Sequence, residues 1–446
     1  MSTLTRAAAI SMTAAVALTS LTACSSGADS ASSGDDSKGS VYYLSFKPEQ
    51  DAIWQEVAKA YQEETGVPVK VVTAASGTYE QTLKSEIAKS DAPTLFQVNG
   101  PIGMRTWQEY LADLSDTEMY KDLLDQSMAL GADDKILGIP YVVEGYGIIY
   151  NDEILNAYFA LDGAKATSMD DVTSFAKLKE VVEDMQAKKD QLGIDGVFAS
   201  TSLKPGEDWR WQTHLADLPV YFEYQDNKVD DMDELTFAHN EEFKNIFDLY
   251  LNNSTIEPAL ASSKAVTDSM AEFALGKAAM VQNGNWAYGQ VSEVQGNTVK
   301  AESVKMLPIY TGHKGEETQG LNVGTENFFA VNSKASEADQ KASKDFMDWL
   351  ITSEKGKKFM VEDLGFIPPF NTFGDDERPS DPLAQEVIAS MANPQTTTIP
   401  WVFTTFPSQS FKDDFGAALS QYAAGQMDWT EVVDLFVSGW KAEKGA

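Results

Sequence analysis

The stretch Val41–Thr73, VYYLSFKPEQDAIWQEVAKAYQEETGVPVKVVT, decides the fold. Its first part, Val41 to Phe46, is an apolar, β-prone run, and Glu49 to Thr65 carries apolar residues at helical spacing. Gly66 ends this helix, and Val67 to Thr73 has the composition of a second strand. A strand, a helix and a strand in this order predict a largely parallel sheet. The positions that set the helical spacing are Ile53, Val57, Ala60 and Tyr61.

The same alternation continues through a second helix, from about Thr78 to Lys89, and a third strand at Thr94 to Val98. Ligands on open α/β sheets collect outside the carboxyl ends of the strands. The loops Ser45–Glu49 and Asn99–Pro101 follow the first and third strands, so we expect them to face a ligand. Their candidate contact residues are Phe46, Lys47, Glu49 and Asn99.

The chain before Val41 has the pattern of a secretory leader. Arg6 is followed by an uncharged, mostly apolar or small stretch, which predicts a signal peptide over residues 1–23. The ending Leu-Thr-Ala-Cys resembles the lipobox of bacterial lipoproteins, which implies that Cys24 carries a lipid at the outer face of the cell membrane, as in a Gram-positive cell. Cys24 is the only cysteine, so it forms no internal disulfide. Residues 24–40, rich in Ser, Gly, Ala and Asp, predict a flexible tether.

Length and composition predict two lobes and exclude some partners. The roughly four hundred residues after the tether exceed what one core usually holds. A hydrophobic content of 43% is enough for sizeable cores, and no later run is long and apolar enough to span a bilayer. The net charge of -34 repels nucleic acid and anionic membranes, so we expect no nucleic-acid partner.

The segment Gly138–Asn151, GIPYVVEGYGIIYN, brackets one acidic side chain with apolar residues. An isolated carboxylate is costly to bury, so Glu144 either faces a wet cleft or is paired. The glycines that flank Tyr146 predict bends or a close approach of another backbone. The segment resembles the crossover of maltose-binding and related oligosaccharide-binding proteins, which feed ABC importers. That resemblance implies that Glu144 contacts a sugar hydroxyl, that Tyr146 belongs to the site, and that the chain changes lobes near Asn151.

A second segment, Phe273–Trp286, FALGKAAMVQNGNW, predicts a helix end, a Gly-Lys turn, a short buried run and then Asn-Gly-Asn-Trp. It is similar to a hallmark segment of the same carbohydrate-binding family, whose final Trp stacks on a sugar. The resemblance implies that Asn285 and Trp286 contact the ligand.

The segment Lys204–Trp211, KPGEDWRW, predicts a loop that opens a helix. Two Trp separated by one residue share a face if the chain is extended and diverge on a helix, so either Trp could be a core residue. The family has an acidic and aromatic pair near this position, which implies contacts from Glu207 and Trp209, with Trp211 the weaker candidate.

The C-terminal part resembles the family in the order of its motifs. Val304–Ile309 looks like a second crossover strand, Gly320–Asn332 like a Gly-rich entry to a strand near the ligand, and Lys341–Thr352 like the closing helix. The further site residues implied by the resemblance are Asn322, Thr325 and Trp401.

The resemblance implies a two-lobed α/β fold of the type II periplasmic-binding class, each lobe a mostly parallel sheet flanked by helices. The predicted lobes are residues 41–150 plus 305–352 and residues 151–304 plus 353–446. The implied function is capture of an oligosaccharide in the interlobe cleft by a monomer without cofactor or metal, for delivery to the permease subunits of an ABC importer. Phe46 stands where the maltose-binding protein has Asp, and Asn99 or Gly100 lies in the neighbourhood of another family Asp. The resemblance therefore implies a sugar other than maltose.

Two other functions remain open from sequence. An extracellular glycoside hydrolase could pair Glu144 with Glu207, and a surface adhesin would explain the tether. The chain has no His-Glu-x-x-His, no Gly-x-Ser-x-Gly and no phosphate-binding Gly-rich loop. We therefore expect a binding protein and no enzyme.

Metal binding is not indicated by local spacing. The three histidines, at positions 214, 239 and 313, are not spaced as ligands, so each is expected at the surface or at a helix cap. An acidic stretch lacks the Gly and the terminal Glu of a calcium loop, so it is expected to be solvated. Its members are Asp226, Asp230, Asp231 and Asp233.

Overall fold

The computed structural model describes residues 38–75 and 77–444. The predicted signal peptide, Cys24 and most of the predicted tether lie outside the described residues. Among those residues, no helix combines the length and the apolar character needed to cross a bilayer.

The described part of the chain forms two six-stranded sheets with helices packed against them. Its strands are β1 (Val41–Ser45), β2 (Val69–Thr73), β3 (Leu95–Val98), β4 (Leu130–Ala132), β5 (Lys135–Pro140), β6 (Glu144–Asn151), β7 (Gly196–Phe198), β8 (Ala278–Gly284), β9 (Val304–Leu307), β10 (Gln319–Gly324), β11 (Phe328–Val331) and β12 (Thr397–Pro400).

The α-helices of the described part are α1 (Asp51–Thr65), α2 (Tyr79–Glu86), α3 (Gly100–Trp107), α4 (Glu118–Lys121), α5 (Asp152–Phe159), α6 (Phe175–Ala187), α7 (Lys189–Leu192), α8 (Ala216–Asn227), α9 (Asn240–Asn252), α10 (Val266–Ala274), α11 (Tyr288–Ser292), α12 (Glu337–Thr352), α13 (Glu354–Lys358), α14 (Pro382–Ala392), α15 (Gln409–Ala423) and α16 (Trp429–Lys444).

The first sheet has the strand order β2-β1-β3-β11-β5-β4, and β1 runs parallel to both β2 and β3. The parallel start predicted from sequence is therefore confirmed. Val41 and Tyr43 pack into one core with Trp54 of α1, whereas Leu44 packs into a second core with Leu83 of α2. Because successive side chains of a strand point to opposite faces, both faces of β1 are buried, which explains its uninterrupted apolar run.

Helix α1 begins two residues later than predicted because Pro48–Gln50 forms a 3-10 turn ahead of it. It ends at Gly66, which adopts φ = 74° and whose N–H bonds to the carbonyl of Gln62. A left-handed residue after the last turn costs glycine little, so the predicted helix stop is confirmed.

The second sheet has the order β12-β10-β6-β8-β7, with β9 also paired to β6. Strand β6 is antiparallel to β8, β9 and β10, and β11 of the first sheet is antiparallel to β3 and β5. Both sheets are therefore mixed instead of mostly parallel, because strands that arrive from the other lobe run against their neighbours. The architecture is otherwise the two-lobed type II periplasmic-binding fold that the sequence predicts.

The chain changes sheets at other points than the sequence predicts. Strand β6 already belongs to the second sheet, so the first change falls between Pro140 and Glu144, ahead of Asn151. Strand β9 also lies in the second sheet, and the return falls between β10 and β11. Residues of α12 and most core residues from Met360 to Phe373 pack in the first lobe, whereas Ile367 and, from α14, Leu383 pack in a core of the second. Glu144 thus starts a strand of the second lobe and does not lie inside a strand of the first.

The glycines of β6 allow close packing against neighbouring elements. A Cβ atom added to Gly147 would lie 2.4 Å from the carbonyl oxygen of Leu307, and one added to Gly145 would lie 2.7 Å from Cγ2 of Val387. Real Cβ contacts do not reach such distances, so the expected close approach of another backbone is confirmed at Gly147, whereas Gly145 packs closely against a side chain.

The segment Phe273–Trp286 folds as its pattern predicts. Helix α10 ends at Ala274, Gly276 adopts φ = 69°, and the buried strand β8 follows. A 3-10 turn over Asn285–Ala287 then presents Trp286 at the end of the strand.

Candidate functional site

A cavity of about 690 Å³ lies between the two lobes, which is within the size range of small-molecule sites. The first lobe contributes the loops after β1 and β3 and the start of α2. The second lobe contributes the segment before α8, the turn after β8 and the start of α15. Side chains that line the cavity include Phe46, Lys47, Glu49, Tyr79, Glu80, Asn99, Glu144, Glu207, Trp209, Gln212, Thr213, His214, Trp286, Gln290, Glu326, Phe403 and Lys412.

A buried ion pair joins the lobes at this cavity. Lys47 and Glu144 are 6% and 2% exposed, and Nζ of Lys47 lies 2.5 Å from Oε1 of Glu144. The other carboxylate oxygen of Glu144 accepts a hydrogen bond of 2.6 Å from Nδ2 of Asn327. Burial alone would lower the pKa of Lys47, but the charges of Glu144 and Glu49 outweigh it and raise that pKa. The sequence left open whether Glu144 faces a cleft or is paired, and in the structure it both lines the cavity and is paired with Lys47.

Two tryptophans from different segments of the second lobe form an aromatic wall of the cavity. The ring centroids of Trp209 and Trp286 lie 5.9 Å apart at an interplanar angle of 48°, and both rings are partly exposed. Nζ of Lys47 lies 5.7 Å from the ring centroid of Trp286, within range of a cation–π contact. The cavity therefore offers apolar ring faces directly beside a charged group.

His214 lines the same cavity, contrary to the expectation of a surface or cap residue. Its ring stacks on Tyr146 at 4.4 Å and 9° and meets Trp209 edge-on at 4.9 Å. Burial, together with the charges of nearby basic groups, holds the pKa of His214 well below its usual value, so the imidazole is neutral. The hydroxyl of Tyr146 donates to the backbone oxygen of His214 at 2.9 Å. Tyr146 is almost fully buried and supports His214 from behind instead of lining the cavity.

The side chains near His214 are presented by a π-helical turn, Arg210–Leu215, which runs into α8. Pro219 has no N–H, so the carbonyl of Leu215 cannot form the usual α-helical hydrogen bond with residue 219. Leu215 is also the last residue of the π-helical turn. The turn brings Gln212, Thr213 and His214 to the cavity together with Trp209. Pro219 is the sequence signal that could have indicated this irregular helix start.

Trp211 lies in the core of the second lobe, so its assignment to the site was wrong. Its indole N–H donates to the carbonyl of Ser202 at 3.1 Å, and its ring lies 5.3 Å from that of Tyr250. The segment is helical here, so side chains two residues apart diverge, and only Trp209 of the pair reaches the cavity.

Asn285 and Asn322 are buried structural residues and do not line the cavity. Oδ1 of Asn285 accepts a hydrogen bond of 2.9 Å from the N–H of Gly145. Nδ2 of Asn322 donates to the buried carboxylate of Asp217 at 3.1 Å. Both amides hold β6 and its neighbours in place beneath the site.

Thr325 and Trp401 also support the site from outside the cavity lining. The Thr325 hydroxyl accepts a hydrogen bond of 3.1 Å from the N–H of Asn327, in the segment that returns to the first sheet. Trp401 is buried at 5.8 Å from the His214 ring and packs on Gly324, where a Cβ atom would lie 2.6 Å from its ring. Stacking of Trp401 on a ligand is therefore not compatible with this arrangement.

Four charged residues of the cavity lining were not predicted from the sequence: Glu80, Glu326, Lys412 and Asp413. Burial, and to a lesser extent the charge of Glu144, raises the pKa of Glu326 to about 7. Burial lowers the pKa of Lys412. Glu326 lies inside the predicted Gly-rich stretch Gly320–Asn332, in which only Asn322 and Thr325 were assigned to the site. Lys412 lies on α15, far from the other motifs in sequence, and no local pattern marks it.

Two of the three histidines come together in the second lobe, although no spacing in the sequence predicted it. His239 and His313 lie 74 positions apart, and their ring centroids are 5.0 Å apart. His239 is the N-cap residue of α9, as expected for a cap residue, and His313 is partly exposed in a loop; the sequence did not predict that the two meet. The four aspartates of the nearby acidic stretch are exposed, in line with a solvated segment.

Two lobes that enclose one aromatic and charged cavity define a solute-binding protein. Residues 56–386 match the model of the bacterial extracellular solute-binding protein family, and the chain belongs to that family.

Solved structures of this fold agree over most of the chain. A chitin oligosaccharide binding protein has a TM-score of 0.72 at 17% identity and covers 91% of this chain and 99% of its own. The SBP RafE in complex with raffinose has a TM-score of 0.68 at 16% identity, with coverages of 91% and 99%. Maltose-bound MalE3 of T. maritima has a TM-score of 0.64 at 14% identity, with coverages of 90% and 99%.

Proposed function

We propose that the protein captures an oligosaccharide in the interlobe cavity and delivers it to the permease subunits of an ABC importer. The observation that carries the proposal is the angled pair Trp209 and Trp286 beside the charged groups of Lys47 and Glu326. A cavity of about 690 Å³ suits a ligand of more than one sugar ring.

The lining provides both kinds of contact that a pyranose needs. Its C–H faces pack on indole rings, and its hydroxyls bond to charged and amide groups. Glu49 is open to cavity solvent but enclosed by protein, and burial raises its pKa. Glu49, Gln212 and Asn99 supply acceptors and donors around the ring faces.

Delivery requires that the importer distinguishes liganded from free protein. The lobes are joined by short segments, such as the one between β10 and β11, which suit a hinge. A sugar that contacts both lobes favours the closed state, because a ligand shifts an equilibrium by its differential affinity for the two states. The lipid on Cys24 would keep the protein next to the permease as a membrane-anchored monomer.

The structural neighbours support the carbohydrate class, since their names specify chitin oligosaccharide, raffinose and maltose. Phe46 and Asn99 both line the cavity. By the sequence resemblance, Phe46 replaces an Asp of the maltose-binding protein, and Asn99 or Gly100 lies in the neighbourhood of another Asp of the family. They change the groups offered to sugar hydroxyls, so we propose a ligand other than maltose.

The experiment is a calorimetric titration with a panel of di- to tetrasaccharides, followed by chromatography of each mixture. Saturable binding with unchanged sugar supports the proposal. Absence of binding across the panel contradicts it and favours a non-carbohydrate solute or an adhesin.

Glycoside hydrolysis is the second candidate function, and one observation favours it. Burial, and to a lesser extent the charge of Glu144, raises the pKa of Glu326 to about 7, which suits a general acid near neutral pH. Against it, both oxygens of Glu144 are engaged, by Lys47 and Asn327, and a carboxylate oxygen of Glu207 accepts from the N–H of Val266. Cleaved sugar in the chromatogram would favour the hydrolase over the binding protein.

A further inference from the structure

We infer that His239, Glu242 and His313 form a binding site for a zinc-class transition-metal ion in the second lobe. One ligand atom from each residue can be chosen so that the three lie within 4.8 Å of one another. None of the three lines the interlobe cavity, so the inference does not depend on the proposed function.

The distances among the donor atoms are close to those of a metal site. Nδ1 of His239 lies 2.9 Å from Oε1 of Glu242, and Nδ1 of His313 lies 3.8 Å from the same oxygen. Bonds of about 2.0–2.2 Å to a tetrahedral zinc ion place its ligand atoms about 3.3–3.6 Å apart. These two nitrogen–oxygen distances lie on either side of this range, each within about 0.4 Å of it.

The second nitrogen of His239 has the partner that a metal-bound imidazole needs. Nε2 of His239 lies 2.9 Å from Oδ2 of Asp226. A histidine that binds a metal through one nitrogen usually donates its other N–H to a carboxylate, which fixes the tautomer and the ring orientation. Asp226 has this role here, and it is the one member of the exposed acidic stretch that contacts a histidine.

Packing holds the two imidazole rings in place before any ion binds. Phe222 of α8 stacks on His313 at 3.7 Å and 7°, and meets His239 edge-on at 5.6 Å. Phe222 is buried, so neither ring can turn freely away from the cluster.

Two buried carboxylates fix the backbone that carries the ligands. Glu316 accepts from the N–H groups of Thr311 and Gly312, which positions the loop that holds His313. Glu223 accepts from the N–H groups of Thr236 and Ala238, just before His239. Pre-organised ligands lower the ordering cost of binding, which favours a site of useful affinity.

The donor set selects the class of cation. Imidazole nitrogen suits Zn²⁺ and its transition-metal neighbours, whereas Ca²⁺ and Mg²⁺ take oxygen ligands. Two imidazoles and one carboxylate leave a fourth tetrahedral position for water. The bound ion would join α9 to the loop between β9 and β10.

The test is a calorimetric titration of the chelator-treated protein with Zn²⁺. The expected result is saturable binding of one ion per chain, with a thermal unfolding midpoint that rises with zinc concentration. Co²⁺ in place of zinc should give the absorption bands of a nitrogen- and oxygen-bound tetrahedral ion. Mg²⁺ should have no effect.

Variants locate the site. His313→Gln should lose at least 100-fold in zinc affinity, and Asp226→Asn about 10- to 100-fold, because it removes only the support of His239. Asp226 is exposed, so its replacement tests the site even if His313→Gln fails to fold. Glu317→Gln changes an exposed carboxylate of the loop that carries His313 and should bind zinc as the unmodified protein does. No binding, or equal binding by all three variants, would overturn the inference and leave His239 as an imidazolium between two carboxylates.

Discussion

The ion pair between Lys47 and Glu144 leads to a quantitative prediction for Glu144→Gln. Removal of one partner of a buried pair costs about 3–5 kcal/mol, because the other charge stays buried without compensation. Gln retains one acceptor oxygen for Lys47, and a hydrogen bond contributes about 1 kcal/mol. We therefore expect Glu144→Gln to lower the free energy of unfolding by about 2–4 kcal/mol in urea titrations without ligand.

A double-mutant cycle isolates the pair. Lys47→Met in the Glu144→Gln background removes the uncompensated charge, so the two changes should be coupled by about 1–3 kcal/mol. The exposed pair Lys59 and Glu63, at 3.9 Å, is the matched control and should show a coupling of about 0.5 kcal/mol or less. Additive effects of the Lys47 and Glu144 changes would refute the reasoning.

Three further predictions use matched pairs. Trp209→Ala should weaken sugar binding at least tenfold with little loss of stability. Trp211→Ala should instead cost about 3–5 kcal/mol of stability and leave the affinity of the folded protein nearly unchanged. Calorimetry measures the affinities and urea titration the stabilities, and equal effects of the two variants on affinity would contradict the assignment. Burial, and to a lesser extent the charge of Glu144, raises the pKa of Glu326 to about 7, above the unfolded value of about 4.3. The unmodified protein should therefore lose stability relative to Glu326→Gln as the pH rises from about 5 to 8. Parallel pH profiles of the two proteins would exclude the pKa shift. Gly147→Ala should destabilise the folded protein by at least about 1–3 kcal/mol, because the added Cβ meets the backbone of Leu307. Gly289→Ala in α11 meets open space and should stabilise the protein by about 0.5–1 kcal/mol in thermal unfolding. A neutral effect of Gly147→Ala would show that β6 can move away from β9.

The sequence predicted the elements whose signals are local. The β1-α1-β2 start, the stop at Gly66 and the order of elements in Phe273–Trp286 all depend on periodicity and glycine positions over a few residues. Glu144 was identified from the cost of an isolated buried carboxylate, which does not depend on its partner.

The features that the sequence did not predict depend on contacts between distant segments. Lys412 reaches the cavity only because α15 packs under the π-helical turn, and Trp211 turned inward because that turn is helical. The meeting of His239 and His313 requires α9 and a distant loop to be adjacent in space, which no spacing rule describes. The lobe boundaries shifted because β6 and β9 pair with each other in the second sheet.

The proposed function requires that a sugar stacks on the tryptophans of the interlobe cavity. The most direct measurement is calorimetric titration of Trp286→Ala with the oligosaccharide that the unmodified protein binds best, together with its thermal unfolding. We predict that affinity falls by at least 100-fold while cooperative unfolding is retained. Unchanged affinity in the folded variant would contradict the claim and remove Trp286 from the site.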